Sequence, residues 1–80
     1  MNPIAAFAAT QTTEALVAVL TEIDNMPRAQ KTAEHRETYT TVCGVIEDRH
    51  NLDAAIENVY DNAGDERITY CQAIKMALAA

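Results

Sequence analysis

Five residues able to do chemistry crowd into one stretch, residues 41–51 (TVCGVIEDRHN): Cys43, Glu47, Asp48, Arg49 and His50. A thiol with an imidazole beside it would be a nucleophile with its base, and such a pair must approach to roughly 3 Å. The surrounding pattern is helical, and winding the stretch onto a helix separates the groups. At 100° per residue, Cys43, Ile46 and His50 fall within about 60° of one another, on the stripe that also holds Tyr39. Asp48 and Arg49 then point to water. Cys43 and His50 are seven residues apart, hence about 10.5 Å along the axis, which excludes direct pairing within one helix. Glu47 lies between them, and a carboxylate there raises the thiol pKa, the opposite of activation. Cys43 is therefore expected as a small core residue and His50 at the core edge, near a helix C-terminus that favours a positive charge.

A metal centre meets a similar obstacle. Helical sites place ligands at i,i+3 or i,i+4, and no Cys/His pair here has that spacing. A set of Cys43, His50 and Cys71 across two helices is the one geometric alternative. His35, within TAEHRE, reads as a solvated surface residue. With only Gly44 and Gly64 there is no glycine-rich phosphate loop. The residues thus point to no enzyme: no catalytic group, no metal and no cofactor is assigned.

The elements that position these groups follow from the breakers and the periodicity. Eighty residues make a single helical domain, 1–80. Fifteen alanines, two glycines and two prolines favour helix over a many-stranded sheet. Asn2-Pro3 is a helix start, an Asn cap followed by Pro at the first helical position, with Ile4, Phe7 and Ala8 as its apolar face. The phase breaks at TQTT, where either one helix continues or Thr12 or Thr13 caps a second, running to about Asn25. In that helix Leu16, Val19, Leu20 and Ile23 share an arc of about 100°. Pro27 marks a loop at DNMPRAQKT. A long helix is predicted over about 32–51, with Thr32 as its cap and Gly44 inside it permitting a close helix crossing. Another follows at 53–62, placing Leu52, Ala55, Ile56, Val59 and Tyr60 on one face. Gly64 stops it and Asp65 caps the last helix, about 66–79, whose apolar arc is Ile68, Cys71, Ile74 and Leu78. The predicted fold is all-α, a small bundle of four to five helices joined by short loops.

Charge then narrows the function classes. The net charge of −6 argues against a nucleic-acid binder, whose affinity comes from neutralising phosphates. The distribution is uneven: residues 28–36 hold Arg28, Lys31 and Arg36 against Glu34, while residues 47–66 hold seven acids against Arg49. Asp53, Glu57 and Asp61 recur every four residues as an acidic ridge, and Glu47 opens the acidic surface. These four are the candidate partner-binding residues, facing a protein partner of basic character. Val17, Val45 and Met76 fall off the apolar stripes and together suggest a self-association or partner surface, with a homodimer the favoured reading. The N-terminal segment lacks a basic region and Glu14 interrupts it, so no signal peptide is expected. No run reaches the roughly 20 apolar residues of a membrane span. Two cysteines do not make a secreted disulfide framework, and a cytoplasmic protein is expected.

Three stretches, TTEALVAVLTEID, VIEDRHNLDAAIENVYD and ERITYCQAIKMALAA, resemble short, largely uncharacterised helical proteins encoded by actinobacteria and their phages. The resemblance implies a small phage or mobile-element accessory protein that modulates a host protein through contacts, in the host cytoplasm; it implies no reaction. Two rival functions stay open. One is a DNA mimic or nuclease inhibitor using the acidic surface of residues 47–66. The other is a helix-turn-helix-like regulator in which Arg67, Thr69 and Gln72 would read bases, against the repulsion of Asp65 and Glu66.

Overall fold

Each helix of the computed structural model, which describes residues 2–64 and 66–79, begins or ends at a residue with a specific physical reason to be there. Asn2 accepts from the Ile4 N–H at 2.9 Å and Pro3 follows, opening α1 (Pro3–Ala9). The chain does break at TQTT. Thr12 accepts from the Ala15 N–H at 3.1 Å and starts α2 (Thr13–Asp24) as a separate helix. After Pro27 a short 3-10 turn (Arg28–Gln30) leads to α3 (Ala33–His50). A reciprocal box closes the N-terminus of α3: Thr32 Oγ1 accepts from the His35 N–H, and His35 Nδ1 accepts from the Thr32 N–H. His35 is thus half-buried and part of a cap, not the solvated residue expected.

Asn51 ends α3 in the left-handed region, φ 53°, a conformation that Asn tolerates better than other side-chain-bearing residues. The Leu52 N–H returns to the Glu47 carbonyl at 3.2 Å, which turns Leu52 into the core before α4 (Asp53–Ala63) begins. Gly64, φ 60°, stops α4. The last helix, α5 (Tyr70–Ala79), starts later than predicted. Thr69 Oγ1 accepts from the Gln72 N–H and Gln72 Oε1 accepts from the Thr69 N–H, so a second capping box sets the start. The predicted Asp65 cap lies outside the described residues.

Five helices and no strand occur among the described residues. Helix α3 packs on α1, α2 and α5, while α5 also packs on α2 and α4. The molecule measures 34 × 30 × 19 Å, about two helices thick in its thin direction. Leu20, Ile46, Ile74 and Cys71 are the large side chains fully removed from water, and Ala73 and Ala77 let α5 sit close against its neighbours. Gly44 does not mark a close crossing: a methyl group built on it would meet nothing within 4 Å. No helix among the described residues is long and apolar enough to cross a membrane.

Several predicted stripes shift at their edges. Phe7 (67%), Val19 (36%) and Tyr60 (39%) are exposed where the periodicity expects core. Val17 and Val45 instead pack against the core, so of the three off-stripe residues Met76 alone is left largely exposed. The predicted self-association surface therefore does not assemble from those residues.

Candidate functional site

The helix that carries the chemistry-rich stretch divides it as expected for Cys43, which is buried, and Asp48, which is exposed, and differently for His50. Cys43 is buried and its thiol is pushed up to about 12, first by burial and then by Glu47. Burial and the neighbouring carboxylate thus disfavour the thiolate, the nucleophilic form, and Cys43 packs in the core. Glu47 accepts a short hydrogen bond from the Tyr70 hydroxyl. That contact and burial raise the Tyr70 pKa, burial contributing most.

His50 is exposed and not at the core edge. Its Nε2 lies 2.7 Å from Thr13 Oγ1, tying the end of α3 to the start of α2. Arg49 is exposed as expected but is also engaged. Its guanidinium does not simply face water; it donates to the Gln11 carbonyl at 2.8 Å and to the Ala8 and Ala9 carbonyls at 3.4 Å. These carbonyls lie at and just beyond the end of α1, where a cation suits the helix dipole; the Ala8 carbonyl also accepts from the Gln11 N–H at 3.0 Å. The stretch is therefore a set of clamps. Among the described residues, no three His, Cys, Asp or Glu side chains gather closely enough to hold a metal ion.

Sequence reasoning did not foresee the polar network that joins α2, α3 and α5. Tyr39 on α3 donates to Asp24 Oδ1 at 3.2 Å and accepts from the Cys71 N–H at 2.8 Å. Asp24 Oδ2 accepts from Thr69 Oγ1, the residue that caps α5. Burial, followed among the raising influences by the Asp24 charge, pushes the Tyr39 hydroxyl well above its ordinary range, so it stays a donor. The sequence signal was available only in part: T-x-x-Q at residues 69–72 is a cap pattern, but nothing local pairs Asp24 with Tyr39.

The four candidate partner residues fall into two groups. Asp53, Glu57 and Asp61 are exposed along one row of α4, whose opposite side buries Leu52 and Ile56. Glu47 belongs to α3, is half-buried and is held by Tyr70, so it does not extend that row. Two of the proposed base-reading residues, Thr69 and Gln72, are occupied in the α5 capping box.

The structure also has hollows. A cleft of about 610 Å³ opens between the end of α2, the 3-10 turn and the start of α3, and Arg28, Lys31 and Arg36 line it. A smaller hollow of about 280 Å³ lies along α3 and is lined by Tyr39, Thr40, Cys43, Glu47 and Tyr70. Comparison with known proteins finds no similar family model, curated protein or solved structure.

Proposed function

We propose that this protein is a small interaction module that docks a basic protein partner through the carboxylate row Asp53, Glu57 and Asp61 on α4. What carries the reading is a cost that the fold does not recover. Carboxylates four apart repel by a few tenths of a kcal/mol per pair. Asp61 lies in the last turn of α4, which holds no basic residue, and the helix dipole disfavours an anion there. Asp53 does help α4 start, because Leu52 provides no side-chain cap. Glu57 and Asp61 have no such structural return, which supports a role outside the fold.

Density separates this reading from nucleic-acid mimicry. Charges four residues apart on a helix form one short line spaced about 6 Å along the axis, against one per roughly 3.4 Å on each of the two strands of duplex DNA. The row is too sparse to imitate a phosphate backbone, yet well suited to a few Lys or Arg side chains. An accessory role toward a host protein, which the resemblance to actinobacterial and phage proteins implies, fits the same mode of action. The triple variant Asp53→Asn, Glu57→Gln, Asp61→Asn should lose partner binding while keeping its helical circular-dichroism spectrum. Undiminished binding by that variant at low salt would overturn the proposal.

A further inference from the structure

Half of the cations of this acidic chain, three of six Lys and Arg residues, line one cleft. They come from different local structures. Arg28 is on the 3-10 turn, which Pro27 and the Gln30 N–H to Pro27 carbonyl bond hold in place; Lys31 follows it, and Arg36 is on α3. Arg36 is within the first four residues of α3, at the end where a helix dipole disfavours a cation. One carboxylate, Asp24, shares the cleft, but both its oxygens already accept from hydroxyls, Tyr39 and Thr69. The wall therefore presents three cations against one carboxylate, which two hydroxyls hold in place on its own side. Its volume falls in the range of small-molecule sites.

The cleft also leads somewhere. Tyr39 and Thr40 line both this cleft and the smaller hollow whose floor includes Cys43, so the two adjoin along α3. A ligand filling both would have an anionic head among the cations and a less polar body along the Tyr39 ring. Two guanidinium forks match the planar, bidentate recognition of phosphate oxygens, with Lys31 as a point charge. We infer that this cleft binds a phosphate monoester with an aromatic or apolar body, its phosphate held by Arg28, Lys31 and Arg36. The inference is independent of the carboxylate row on α4.

The test is an amide-resolved NMR titration at fixed ionic strength, with phenyl phosphate, inorganic phosphate, phenol and sodium chloride as separate arms. Phenyl phosphate should shift the amide signals of residues 28–40 and of Cys43 and saturate. Inorganic phosphate should shift the 28–36 signals alone and bind more weakly, and phenol and chloride should do neither. The pair Lys31→Gln, Arg36→Gln removes charge from the rim without touching the core, and should weaken phenyl phosphate at least about tenfold with unchanged melting. The triple α4 variant should leave the titration unchanged. Equal shifts with matched chloride, or undiminished binding by the Lys31/Arg36 pair variant, would overturn the site. Inorganic phosphate binding as tightly as phenyl phosphate would overturn the part assigned to the body.

Discussion

The carboxylate row of α4 and the cation-lined cleft of residues 28–36 are opposite in charge, and their difference in shape matters more. Asp53, Glu57 and Asp61 stand exposed on the outer side of a helix whose other side is packed. Arg28, Lys31 and Arg36 line an open cleft whose one carboxylate accepts from two hydroxyls. A convex row of like charges can meet another macromolecule but cannot enclose a ligand. A cleft lined by several cations can orient a small anion. Net charge alone would have described the chain as uniformly acidic and missed this division.

Both surfaces depend on one scaffold, and the largest expected effect is its loss. Ile74 is fully buried on α5, and Ile74→Ala should destabilise the fold by about 2–5 kcal/mol. In a domain this small that is a large share of total stability. Urea denaturation should report it, and both binding activities should fall together.

Tyr39→Phe separates the two surfaces. It removes the donor to Asp24 and leaves the Cys71 N–H without its partner. The expected loss is about 1–2 kcal/mol, and each kcal/mol lowers the melting temperature by roughly 4–8 °C in a domain of this size. Phosphate binding should weaken, because the freed Asp24 oxygen then faces the cations, while partner binding through α4 should persist. Loss of both activities in a folded Tyr39→Phe protein would show that the surfaces are coupled.

Gly44→Ala should act in the other direction. The position is helical and open, so Ala should stabilise the protein by about 0.8–1 kcal/mol, seen as a raised urea midpoint at unchanged slope. Any destabilisation would restore the close crossing that the sequence suggested. Smallest of all, Asp61→Asn should raise stability by a few tenths of a kcal/mol while weakening partner binding. A stability loss there would mean that the row serves the fold, and would remove the observation on which the proposed function rests.

What could be read from the sequence was local. Asn2-Pro3, Thr12, Thr32, Asn51 and Gly64 act at helix ends through their own backbone or a neighbour within a few residues; four were legible, and Thr12 only as one of two possible caps at a break that the sequence left open. So were the exposed α4 carboxylates, which follow from a period of four. The features missed depend on which helices meet. Arg49 reaches carbonyls about forty residues back in the chain, Tyr39 closes a network across three helices, and Ala73 and Ala77 are buried because α5 is central. The three cations of residues 28–36 were visible as a run, but their concavity comes from the turn after Pro27 and the placement of α2 beside α3.

The central claim is that function is carried by the outer face of α4 and not by the thiol and imidazole of the 41–51 stretch. Affinity capture from cell lysate at low salt, quantified by mass spectrometry, tests it with four baits in parallel: the parent chain, the Asp53→Asn, Glu57→Gln, Asp61→Asn variant, Cys43→Ala and His50→Gln. A basic protein should be enriched by the parent, by Cys43→Ala and by His50→Gln, and lost from the triple variant. The claim is contradicted if the triple variant, still folded, captures the same basic protein as the parent, or if the loss follows Cys43 or His50 instead.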